Sequence, residues 1–165
     1  MKTLLVLRHA EARGVVGAEK DHDRPLTENG VRDAARLGRR LAGDDVPDLA
    51  VCSSAVRAVE TFETAQRAGG WSCPLKVSRQ LYEADAAGAL GIVRAADDRV
   101  ARLLLVGHEP TFSRLVAALA NDPGVSLSPG ACACLDVYAD RWMTVEFGMA
   151  SLRWTARPGE LPDAG

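Results

Sequence analysis

Residues 1–12 read MKTLLVLRHAEA. Four aliphatic residues, Leu4 to Leu7, run without polar alternation and end on Arg8, His9, Ala10 and Glu11. A run of this kind suits a parallel strand covered on both faces. It also carries a cation and an imidazole to the strand's carboxyl end. The device recurs in residues 48–65, DLAVCSSAVRAVETFETA, and in residues 102–120, RLLLVGHEPTFSRLVAALA. Each reads as apolar strand, short polar turn and helix. The expected fold is an α/β three-layer domain, a mostly parallel central sheet with helices on both faces.

Residues 24–43, RPLTENGVRDAARLGRRLAG, predict a helix with Thr27 as N-cap and Glu28 in its first turn. Its apolar face would hold Val31, Ala34, Ala35, Gly38 and Leu41, with Gly43 as the stop. Ser54 is the expected cap of the second helix, which carries Val59, Phe62 and Ala65 and ends at Gly69-Gly70. Pro110 suits the first position of the third, whose inner face is Leu115, Val116 and Leu119. Residues 74–97 predict a short strand, a loop from Tyr82 to Gly88, and a helix. Residues 131–157 predict an antiparallel pair of strands turning at Ala139-Asp140-Arg141. The whole, residues 1–165, reads as one domain, with a tail at 158–165 expected to fray.

The chain has 165 residues, 47% of them hydrophobic and 25% charged, which is enough to bury a core. Its formal net charge of -2 offers no basic field for nucleic acid or anionic lipid. No run is long enough for a membrane span or a signal peptide, so a cytoplasmic protein is expected. The positive charge is nearly all arginine, with lysine only at Lys2, Lys20 and Lys76. Cys52, Cys73, Cys132 and Cys134 form no C-x-x-C pair and are expected to be buried free thiols.

In an open α/β sheet, ligands bind beyond the carboxyl ends of the strands. The three segments bring Arg8 and His9, then Ser53, Ser54 and Arg57, then Gly107, His108 and Glu109 to that edge. Any one of these residues alone has a simple structural use. Together, two arginines and two of the chain's three histidines describe a phosphoryl site. Guanidinium forks bind phosphoryl oxygens, and a neutral imidazole is a competent nucleophile at phosphorus. The arginines supply the charge, so no metal is required, and no metal-ligand spacing or phosphate-binding G-x-x-x-x-G-K-[ST] loop occurs. No cofactor is expected. The third histidine, His22 in EKDHDR, reads as a solvated loop residue.

Four stretches, LRHAEA, DRPLTENG, CSSAVRAVET and VGHEPT, resemble the signatures of the histidine phosphatase superfamily, in particular its compact SixA-type phosphohistidine phosphatases. The resemblance spans residues 1–119. It implies a phosphoglycerate mutase-like fold, His9 as nucleophile, and Arg8, Arg57 and His108 as the phosphate pocket. It places Arg24 at the pocket edge or as a tie for the loop before the first helix. It also implies a carboxylic general acid after the middle strand, for which Glu83 in LYEADAAG is the best positional match. Ala10 stands where most of the superfamily has glycine, a change that costs energy only at positive φ.

The expected activity is removal of phosphate from phosphohistidine on a protein, by a chain that acts as a monomer. A phosphohistidine leaves through a labile P–N bond and depends less on a strong acid than an ester does. Few residues are spare between the motifs, so the pocket should be open enough for a protein-borne group. Two other readings stand: a phosphomonoesterase for a small metabolite with Glu83 as acid, and a phosphate-binding regulatory domain without turnover.

Overall fold

The computed structural model describes residues 1–163. Its strands are β1 (Lys2–Arg8), β2 (Leu49–Ser53), β3 (Leu75–Ser78), β4 (Arg102–Gly107), β5 (Cys132–Val137) and β6 (Ala150–Ala156). Its helices are α1 (Glu28–Leu41), α2 (Val56–Gly69), α3 (Arg79–Glu83), α4 (Ala86–Arg94) and α5 (Thr111–Ala120). The six strands form one sheet in the order β3-β2-β4-β1-β5-β6. The first four run parallel and β5 and β6 antiparallel, as the sequence predicts.

Alternation along the central strands shows why their sequences are continuously apolar. Leu4 and Val6 of β1 join Leu103 and Leu105 of β4 in a core under α4 and α5. Leu5 and Leu7 join Leu104 and Val106 in a second core under α1 and α2. Leu4 to Leu7 are all fully buried, so a strand in the middle of the sheet has no face left for a polar residue.

Several local expectations change. Thr27 does cap α1, accepting from the Gly30 N–H at 3.0 Å. Val31, however, is exposed, and the buried face of α1 runs through Gly30, Asp33, Ala34, Leu37, Gly38 and Leu41. Ser54 is not a cap: Ala55 stays extended, and α2 begins after it without a side-chain cap. Pro110 precedes the first turn of α5 as its N-cap. The expected loop from Tyr82 to Gly88 is mostly helical, since Tyr82 and Glu83 end α3 and Ala86 to Gly88 begin α4. A tight turn does not join β5 to β6; residues 138–149 intervene, with a 3-10 turn at Trp142–Thr144 and Trp142 fully buried. In the tail, Pro158–Glu160 form a 3-10 turn, Pro158 is buried and Asp163 accepts from Arg36. Residues 164 and 165 lie outside the described residues. Cys52, Cys132 and Cys134 are buried free thiols, whereas Cys73 is partly exposed. Among the described residues no helix is long and apolar enough to cross a membrane.

The close approach of α1 and α2 depends on Gly38. A Cβ there would lie 1.9 Å from the Ala65 carbonyl oxygen. The Gly38 carbonyl itself accepts from the Trp71 indole at 2.9 Å. Helix propensity alone favours alanine over glycine by up to about 1 kcal/mol. The backbone clash opposes this and should win, so Gly38→Ala is expected to destabilise the protein by about 1–3 kcal/mol. A lower urea midpoint at unchanged m would show it; an unchanged or higher midpoint would mean that the two helices separate freely.

Candidate active site

The register of the parallel strands assembles the site. Arg8 at the end of β1 lies opposite Gly107 at the end of β4. The next residue of each strand is a histidine, and the His9 N–H donates to the Gly107 carbonyl at 2.9 Å. The two imidazoles therefore sit side by side, with ring centroids 5.2 Å apart. On the other side of β4, β2 pairs Cys52 with Val106, and the next residue, Ser53, brings its Oγ to 2.7 Å from His108 Nε2.

A pocket of about 320 Å³ opens at this edge, lined by Arg8, His9, Glu11, Ala12, Arg24, Arg57, His108, Glu109 and Pro129. Five of the six residues singled out from the sequence are there. A larger groove of about 580 Å³ lies between β3 and α4, and no histidine or arginine lines it. Glu83 is not brought to the pocket: its side chain is 64% exposed and pairs with Arg79 at 3.5 Å. Successive helical residues point about 100° apart. The neighbouring Tyr82 turns inward, so Glu83 turns out.

The polar groups of the pocket are unevenly satisfied. Among the described residues, four buried side-chain nitrogen or oxygen atoms lack a partner, and three belong to pocket residues: Arg8 Nε, Arg57 Nε and His108 Nδ1. Buried donors are normally paired. All three belong to residues that line one cavity, where the guanidinium groups offer an anion their positive charge and N–H groups. The rest of each side chain is held. Arg8 donates to the Leu127 carbonyl at 2.9 Å, and the nearly buried Arg57 binds the Asp21 carbonyl and carboxylate.

Hydrogen bonding also sets the state of both histidines. His9 Nδ1 lies 2.7 Å from the Ala10 carbonyl, which can only accept. The ring proton is therefore on Nδ1, and Nε2 keeps its lone pair. Burial first, then the charges of Arg57, Arg8 and Arg24, lower the His9 pKa to about 4, against an opposing pull from the Ala10 carbonyl. Burial, then Arg57 and His9, lower that of His108 to about 3. Both rings are neutral at pH 7. Ser53 Oγ accepts from the Ala55 N–H, which leaves its hydroxyl free to donate to His108 Nε2. His108 can then carry its own proton on the unpartnered Nδ1.

The remaining carboxylates of the pocket are tied down as acceptors. Glu11 accepts from the Thr27 hydroxyl at 2.7 Å and from Asn29 at 3.4 Å. Glu109 accepts from the N–H and hydroxyl of Ser113. Ala10 is not strained, because among the described residues Asn121 is the only non-glycine with positive φ. Its methyl packs with Leu26 and Ala34, and its N–H donates to Thr61 Oγ1 at 3.0 Å. Arg24 lines the pocket and donates to the Arg13 carbonyl at 2.8 Å. His22 is not a free loop residue. It is half-buried, its Nε2 is 2.9 Å from Ser54 Oγ, and its ring meets Tyr82 edge-on. Asp21, Thr61 and Tyr82 carry no local signal in the sequence; only folding brings them to the arginines and histidines.

A family model described as "Histidine phosphatase superfamily (branch 1)" matches residues 4–104. The uncharacterized Mycobacterium leprae protein ML1117 is 34% identical over 160 residues, covering 88% of this chain and 96% of that protein. A solved structure from Nakamurella multipartitia, described as a candidate phosphohistidine phosphatase SixA, superposes with a TM-score of 0.84 at 29% identity, covering 95% and 96% of the two chains. The structure of a protein histidine phosphatase SixA complexed with tungstate superposes with a TM-score of 0.74 at 25% identity, covering 95% and 97%.

The depressed pKa values give a direct check. Below the ordinary histidine value of 6.5 the unfolded chain takes up protons that folded His9 and His108 refuse. Stability contributed by these groups is therefore complete above pH 6.5 and declines as pH falls toward 4 and 3. In an NMR titration of the ligand-free protein, both imidazoles should begin to protonate only below about pH 5. Either one titrating near 6.5 would remove the electrostatic account of the pocket.

Proposed function

The chain belongs to the histidine phosphatase superfamily, and we propose that it is a phosphatase that carries the phosphoryl group on its own His9 and takes phosphohistidine on a protein as substrate. The observation that carries this reading is the convergence of Arg8, Arg24 and Arg57 with the neutral His9 and His108 around one pocket. A tetrahedral oxyanion suits such a set of cationic donors. Tungstate, such an oxyanion, is bound by one SixA relative of the same fold.

The chemistry follows from the geometry. His9 Nε2 gives its lone pair to phosphorus as the bond to the leaving group breaks. The leaving imidazole takes that bond's electron pair and is protonated by water. His9 keeps its Nδ1 proton and gains positive charge, which the Ala10 carbonyl at 2.7 Å stabilises. The three arginines offset the charge on the phosphoryl oxygens and need no metal for it. Water then attacks phosphorus and gives up a proton to solvent, the P–N bond breaks with its electron pair returning to His9 Nε2, and inorganic phosphate leaves.

The substrate class rests on the acids. Glu83 faces solvent, and Glu11 and Glu109 are held as hydrogen-bond acceptors. None is poised to protonate an alkoxide, a step worth about 10²–10⁴-fold for an ester. A P–N bond makes a smaller demand, and the pocket is open to solvent. The wild-type protein should therefore turn over a phosphohistidine-loaded phosphocarrier protein far faster than alkyl phosphates. Faster turnover of the alkyl esters would favour a metabolite phosphatase. A quenched reaction should trap acid-labile phosphate on His9, and label persisting in His9→Ala would overturn the mechanism. Glu83→Gln should leave turnover of both substrate classes within about twofold of wild type. Arg57→Lys, which loses the fork and the buried Nε donor, should cost at least about tenfold in kcat/KM.

A further inference from the structure

We propose that Asp21 is a positioning residue for this pocket: a shared counter-ion that fixes Arg57 and Arg24 in the orientation in which they meet the phosphoryl group. The assignment rests on the phosphatase reading and deepens it. One carboxylate is divided between three partners. Its Oδ1 accepts from Arg24 Nε, and Arg24 Nη2 lies 2.9 Å away. Its Oδ2 accepts from Arg57 Nη2 at 3.1 Å and from the Tyr82 hydroxyl at 2.9 Å. The Asp21 backbone carbonyl accepts from Arg57 Nη1 at 2.8 Å.

Two consequences follow. Asp21 takes one N–H from each terminal nitrogen of Arg57, which fixes the plane of the guanidinium and leaves its remaining N–H groups for an anion. Arg24 has its third nitrogen on the Arg13 carbonyl and is equally unable to swing. Second, two guanidinium groups lining one pocket repel each other, and the carboxylate between them removes much of that repulsion. Asp21 is half exposed, so its value lies in orientation more than in ion-pair energy. Hydrogen bonds from Tyr82 and Arg24 and the nearby Arg57 outweigh the upward push of burial and hold its pKa at about 2. Asp21 is therefore charged wherever the two histidines are neutral. Asp21 acts through the arginines and has no contact with His9 of its own.

A merely structural Asp21 would serve only to pin the 3-10 turn Asp21–Asp23. The two roles separate in a double-mutant cycle on p-nitrophenyl phosphate, with binding of inorganic phosphate by calorimetry as a second readout. Asp21→Asn should lower kcat/KM by about 10–100-fold and weaken phosphate binding at least about fivefold, at a nearly unchanged melting temperature. Added to Arg57→Lys, it should cost clearly less than it does alone, because only its hold on Arg24 is then left to lose. Tyr82→Phe, which removes one bond of the set, should lose less than Asp21→Asn. Asp21→Glu, which keeps the charge, should recover part of the loss. Losses that multiply in the double variant, a Glu variant no better than Asn, or phosphate affinity and kcat/KM within twofold of wild type would each overturn the assignment while leaving the phosphatase reading intact. A wild-type protein that neither binds phosphate nor hydrolyses any phosphorylated substrate would overturn the reading itself and the assignment with it.

Discussion

The parallel pairing of β1 with β4 is the constraint on which the site depends. With Arg8 opposite Gly107, the two strands end in step and His9 and His108 emerge side by side. A slip of one residue would turn Leu4 to Leu7 onto the wrong faces of the sheet, exchanging the two cores. The register that the hydrophobic cores demand is thus the register that juxtaposes the imidazoles. Packing and chemistry are enforced by the same pairing, and β2 extends it by delivering Ser53 to His108 from the other flank.

The electrostatics of the pocket run against ordinary burial. Three arginines line one pocket, and one of them, Arg57, is only 5% exposed. Left without counter-charges they would repel each other and resist desolvation. Asp21 lowers that cost by pairing with Arg24 and Arg57, and Glu11 and Glu109 add carboxylates to the lining of the same pocket. Arg8 Nε, Arg57 Nε and His108 Nδ1 remain without a partner. Burial keeps His9 and His108 unprotonated and the arginine charges add to it, so the groups that would bind phosphate also help to keep the nucleophile available.

The layered fold, the order of its long helices and the convergence of Arg8, His9, Arg57 and His108 were legible in the chain. Each follows from short-range chemistry: unbroken aliphatic runs, a cap at Thr27, a left-handed stop at Gly70. The errors fall where local signals are weak. Ser54 looks like a cap because serine usually is one, but its hydroxyl goes to His22 instead. Glu83 looks like an acid beside the pocket, but α3 turns Tyr82 inward and Glu83 away.

By itself, then, the sequence determined the alternation of strand and helix and which side chains stand at the strands' carboxyl ends. These depend on hydrophobic period and on neighbours a few residues apart. Only the tertiary structure decided which further polar groups they meet there. Asp21 reaches Arg57 across 36 positions and Tyr82 across 61, and Ser53 reaches His108 across 55. Contacts at such separations are set by strand order and register, and those are fixed by burying two apolar cores at once on opposite faces of one sheet.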